Sequence, residues 1–124
     1  MHGQVYWAAL DKLEALGLKE DTIVVFTTDH GHFFGQHGLI RKGPFHYEDM
    51  IRVPFIVSCP GTVPEDRHSQ ALQSLVDLPV TFLSLCGIDV PRRMTGVDQS
   101  QVWTGKTDSV RENVIVENHH QPTT

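Results

Sequence analysis

Five consecutive residues, Ile23-Val24-Val25-Phe26-Thr27, are β-branched or aromatic, and the chain then reads Asp29-His30-Gly31. A short unbroken apolar run between polar turns is the pattern of a strand covered on both faces. Such strands belong to sheets sandwiched by helices, so this run points to an α/β fold with a mostly parallel sheet. The preceding residues agree. Val5, Ala8, Ala9, Leu10, Leu13 and Leu16 fall at helical spacing over residues 5–16, and Gly17 is placed to end that helix. A polar turn, Lys19-Glu20-Asp21, leads into the strand. Helix, turn and buried strand together form part of a βαβ unit.

Residues 29–48 break this regularity. Gly31, Gly35, Gly38, Gly43 and Pro44 alternate with His30, His32, His37 and His46, a loop composition. A helical turn is expected from Tyr47 to Arg52, with Glu48 and Arg52 at i,i+4 bracing it. Pro54 to Ser58 reads as a second strand, closed by the turn Cys59-Pro60-Gly61. A short strand is expected over Ala71 to Val76. Asp77 is placed to cap a helix from about Leu78 to Cys86, with Pro79 in its first turn and Gly87 after its end. One helical turn is expected near Trp103, and a last strand at Asn113 to Glu117.

Composition removes several classes. With 10 basic residues against 15 acidic ones and a net charge of −5, no face offers the cationic track that nucleic acid requires. No apolar stretch approaches the ~18 residues of a membrane span. Met1-His2-Gly3-Gln4 lacks the basic and apolar segments of a signal peptide, so none is expected in this piece. Cys59 and Cys86 form neither a C-x-x-C pair nor a disulfide framework and are expected to be small buried hydrophobes.

Chemistry concentrates just after the first strand. In open α/β sheets, ligands bind beyond the carboxyl ends of strands. A carboxylate and an imidazole side by side, Asp29 and His30, can face one cation there, with Gly31 letting the backbone turn away. The same pair also reads as a turn cap beside a surface histidine. Lys42, in Arg41-Lys42-Gly43-Pro44, carries a compact ammonium suited to a tetrahedral oxyanion, or is simply a solvated lysine. His32, His37 and His46 are candidates for metal, proton transfer or substrate contact, and equally for hydrogen-bonded structural roles. Their spacing matches no zinc motif.

The run TIVVFTTDHGHFFGQHGLIRKGPFHYEDMIRVPFIVSCPG, Thr22 to Gly61, resembles the carboxy-proximal active-site segment of the type I sulfatases of the alkaline-phosphatase superfamily. The elements come in that family's order: apolar strand, T-[ST]-D-[HN]-G, a G-x-H-G loop, K-G, then Y-E-x-x-x-R-V-P and a strand ending in P-G. ALDKLEALGLKEDT before it and SLVDLPVTFLSLCGIDVP after it are similar to the family's flanking elements, and the likeness spans about residues 4 to 98. It implies that residues 1–124 are part of an α/β/α sandwich around a mostly parallel sheet. It also implies hydrolysis of a sulfate ester, carried by a small molecule or a carbohydrate. Asp29 and His30 match the last two metal ligands and Lys42 the sulfate-contacting lysine. His37 is carried over as a catalytic, second-sphere or substrate-contacting group. The implied cation is Ca²⁺, with Mg²⁺ or Mn²⁺ as alternatives, and the implied compartment is periplasmic or secreted.

The family's nucleophile is a formylglycine made within [CS]-x-[PA]-x-R. Ser58-Cys59-Pro60-Gly61-Thr62 comes nearest but has Thr in place of Arg. The nucleophile is therefore expected in an amino-terminal part of the same domain, and residues 1–124 are expected to be inactive alone. A phosphonate monoester or phosphodiester hydrolase of the same superfamily is the alternative, as is a non-catalytic piece that keeps the fold.

Overall fold

The computed structural model describes residues 2–117. Helix α1, His2–Ala15, leads to strand β1, Val24–Phe26. A hairpin follows, of β2, Phe33–Phe34, and β3, Ile40–Arg41, with a 3-10 turn at Gln36–Gly38 between them. Then come helix α2, Glu48–Ile51, strand β4, Ile56–Ser58, helix α3, Asp77–Leu85, and helix α4, Ser100–Trp103. Gly17 ends α1 as its position suggests. At φ 67° it lets Leu18 N–H reach Leu13 O at 2.9 Å while its own N–H reaches Glu14 O at 3.0 Å. Gly87 closes α3 with the same pair of bonds.

The fold is α/β, and its two sheets are small. β1 pairs with β4, Val25 opposite Val57, and β2 pairs with β3, Phe33 opposite Arg41. Both pairings are antiparallel, and β2 and β3 are joined directly by the 3-10 turn. The parallel part of the expected sheet is not among the described residues. β1 is also shorter than the apolar run and only half covered. Phe26 meets Tyr6 of α1 edge-on at 5.5 Å but stays 43% exposed.

Two compact clusters form the interior. Phe33 is buried with its ring edge-on to those of His37 and Tyr47, and Met50 of α2 is buried as well. Val80, Val102 and Trp103 are buried where α3 meets α4, with Phe55 and Phe82 against the Trp103 indole. The chain exposes 9737 Å², whereas a closed domain of 13.9 kDa exposes about 6,700 Å². Its interior is therefore thin, and Val5, Trp7, Phe34 and Ile40 lie open to solvent.

Several local expectations change. Residues 29–48 hold the β2–β3 hairpin rather than loop alone. Ala71 to Val76 forms no strand, since Ala71 N–H is taken by Ser69 Oγ and Leu72 O by the Gln99 side chain. Residues 113–117 form none either, having no neighbouring ladder to join. Cys59 is buried as expected, but Cys86 is exposed at the end of α3.

Asp77 is the largest departure. It lies inside α3 rather than capping it, and it is 1% exposed. Its Oδ2 accepts Ser74 N–H at 2.9 Å and the Gln99 amide at 3.0 Å. Its Oδ1 accepts Val97 N–H at 2.9 Å and the Arg111 guanidinium at 2.6 Å. One carboxylate thus ties together three segments, 74–77, 97–99 and the one around Arg111.

Candidate functional site

The loop after β1 carries Asp29 and His30, and Gly31 fixes where that loop sits. Gly31 N–H donates to Met50 O at 2.8 Å, and a Cβ on Gly31 would fall 1.7 Å from Asp49 O. Its need for glycine is close backbone approach to α2, not a sharp turn. The loop therefore lies flush against α2.

Within it, Asp29 Oδ2 stands 3.4 Å from His30 Nε2, and Lys42 Nζ stands 3.3 Å from the same nitrogen. His30 Nδ1 lies 2.7 Å from Gly31 O. A carbonyl only accepts, so Nδ1 carries a ring proton, and when the imidazole is neutral Nε2 presents a lone pair. Two bonds of ~2.0–2.6 Å from one cation span 3.4 Å between donor atoms, so Asp29 and His30 fit a shared divalent ion. No third His, Cys, Asp or Glu among the described residues joins them.

Asp29 is 81% exposed. Slight desolvation pushes its pKa up. The Thr28 hydroxyl at 3.2 Å, the His30 imidazole and the His30 N–H at 3.0 Å outweigh it and hold the carboxyl below its usual value. It stays anionic, the state in which a carboxylate can bind a hard cation.

The β2–β3 hairpin links His30 to Lys42. Phe33, 1% exposed, pins its inner face. His37 lies in the hairpin turn itself, and its contacts are with Phe33, Tyr47 and Asp49. Its ring stacks on Tyr47 at 3.9 Å and 11°, and its Nε2 is 3.3 Å from Asp49 Oδ2. Sequence reasoning missed Asp49 and Tyr47 as its partners, because no spacing rule pairs residues across an irregular loop. Glu48 and Arg52 do meet, at 3.8 Å, but both are exposed and contribute little. His32 touches Phe34.

The sulfatase family profile matches residues 8–88. The chain belongs to the sulfatase family. It is 37% identical over 100 residues to an N-acetylglucosamine-6-O-sulfatase of Bacteroides thetaiotaomicron, covering 79% of this chain and 18% of that protein. It is 34% identical over 103 residues to an extracellular sulfatase SULF-1 homolog of Drosophila melanogaster, covering 83% of this chain and 9% of that one. A solved structure, described as in complex with its substrate D-glucosamine-2-N,6-O-disulfate, superposes with a TM-score of 0.75 at 32% identity. That match covers 84% of this chain and 21% of the other. The chain thus spans under a quarter of these sulfatases and is a short part of their alkaline-phosphatase-like α/β fold.

Proposed function

We propose that this chain supplies the charge-stabilising side of a metal-dependent sulfate-ester hydrolase site, acting on a sulfated small molecule or carbohydrate. The observation that carries the reading is the meeting of Asp29, His30 and Lys42 beyond the end of β1. The Asp29 carboxylate and the Lys42 ammonium lie 3.4 Å and 3.3 Å from the same imidazole nitrogen, His30 Nε2. Asp29 and His30 would hold the cation, Ca²⁺ by family likeness with Mg²⁺ or Mn²⁺ as alternatives. When bound, it would supply positive charge against the sulfuryl oxygens. Lys42 donates to the same oxyanion, and its reward is greatest where charge builds in the transition state. His37 acts at one remove, through the hairpin that carries Lys42. The sulfated-sugar substrate of the solved neighbour and the extracellular setting of the Drosophila relative support a secreted or periplasmic enzyme with a carbohydrate substrate.

Substitution of Lys42 in the full-length enzyme tests the reading. Lys42→Ala is expected to lower kcat/KM about 10²–10³-fold, roughly 3–4 kcal/mol, with folding unchanged by circular dichroism. Lys42→Arg should rescue only part of the loss, because a planar fork places its donors differently. An unchanged kcat/KM in Lys42→Ala would overturn the assignment. Faster turnover of phosphonate or phosphodiester substrates than of any sulfate ester would move the enzyme to that branch of the superfamily.

A further inference from the structure

Arg41 is not glycine, yet its backbone is left-handed, at φ 68°. This conformation is disfavoured for residues that carry a Cβ. It falls on the last residue of β3, immediately before Lys42. The hairpin register pairs Phe34 with Ile40 and Phe33 with Arg41. A ladder extended by one step would set Lys42 opposite His32. The strand instead stops at Arg41, and the Lys42 ammonium arrives 3.3 Å from His30 Nε2. Among the described residues the Arg41 guanidinium forms no ion pair, so its contribution here is its backbone shape.

A disfavoured conformation persists only where the surroundings over-determine it. Here they do. Phe33, directly across from Arg41, is buried, and its ring meets both His37 and Tyr47 edge-on. His37, itself left-handed at φ 54°, is held by Tyr47 and Asp49. The hairpin turn is closed by Gly35 N–H to Leu39 O at 2.9 Å and Phe34 N–H to Gln36 Oε1 at 2.6 Å.

We propose that Arg41 is a positioning residue whose left-handed backbone turns Lys42 out of the ladder and aims its ammonium at the sulfuryl oxyanion beside Asp29 and His30. The inference rests on the role of Lys42 given above.

The test uses the full-length enzyme with Arg41→Gly, Arg41→Asn and Arg41→Val, each also in a Lys42→Ala background. The assay is steady-state hydrolysis of the best wild-type substrate among a chromogenic aryl sulfate and monosulfated hexosamines. Gly and Asn accept a positive φ, so both variants should keep kcat/KM within about threefold of wild type. Val does not, and a displaced ammonium should lower kcat/KM about 10- to 100-fold, mainly in kcat. With Lys42→Ala present, the Gly, Asn and Val variants should become equal, because the effect runs through that ammonium. Loss in Arg41→Gly or Arg41→Asn as deep as in Arg41→Val would assign the effect to the guanidinium and overturn the proposal. A folded, fully active Arg41→Val would do the same. Should Arg41→Val fail to fold, Arg41→Thr, β-branched but polar, replaces it in the same comparison. A Lys42→Ala variant as active as wild type would instead overturn the role of Lys42 on which the inference rests.

Discussion

Replacing Asp77 by alanine removes the acceptor for four donors at once. Two are the backbone N–H groups of Ser74 and Val97, one is the Gln99 amide, and one is the guanidinium of Arg111, whose side chain is only 14% exposed. The variant would leave that cation largely buried without its counter-charge. Breaking such a pair from one side costs about 3–5 kcal/mol, a large part of the ~5–15 kcal/mol that holds a domain folded. Asp77→Asn keeps the shape and one strong acceptor, so its loss should be nearer ~2 kcal/mol. Amide hydrogen exchange of the full-length protein measures this locally. Protection of peptides covering residues 72–79 and 95–101 should fall about 10²–10⁴-fold in Asp77→Ala, while α1 should keep its protection. A drop of less than tenfold would show that water or a repacked Arg111 replaces the carboxylate, and the account of Asp77 as a four-way tie would be wrong.

Two further outcomes follow from the geometry. Gly31→Ala places a methyl 1.7 Å from Asp49 O, so the loop must leave α2 and give up its bond to Met50 O. It should lose about 1–3 kcal/mol of stability and most of its kcat/KM, checked by thermal melting and kinetics together. The Asp98 carboxyl is pushed up slightly by burial but held below its usual 3.8 by the Ser84 hydroxyl at 2.6 Å and the Ser100 N–H at 2.8 Å. A lowered folded pKa stabilises above the ordinary value and loses that contribution as pH falls through the folded one. Melting temperature should therefore drop on acidification below about pH 4, and Asp98→Asn should flatten that drop while lowering the plateau at neutral pH.

Helical segments were legible because local signals fixed them. The spacing of Leu10, Leu13 and Leu16 and the stop at Gly17 mark α1, and Gly87 marks the end of α3. Ordered motifs brought out Asp29, His30 and Lys42, and backbone placement then set them within contact of one another. What stayed hidden depends on partners distant in sequence. Asp77 looked like a cap because its position before an apolar run says nothing of Arg111, 34 residues on. Ala71 to Val76 has strand composition, yet side chains took its backbone groups first. Gly31 looked like a point where the backbone turns away, whereas the reason for its missing Cβ lies on Asp49. The left-handed Arg41 carries no local mark at all, since arginine is an unexpected residue for that conformation.

The separation between Asp77 and Arg111 also has a consequence in time. A chain synthesised from its amino terminus at about 5–20 residues per second presents Asp77 some 2–7 s before Arg111 exists. Ser74 is in place from the start, Val97 and Gln99 follow 20 and 22 residues after Asp77, and for the last 12 residues, about 0.6–2.4 s, the carboxylate can hold all three donors but not its counter-ion. The α3–α4 unit can therefore gather during synthesis and yet stays unlocked until the segment around Arg111 emerges. Slow codons placed between the two would lengthen the exposure of a half-built interior to proteases and aggregation, with no change in the finished protein.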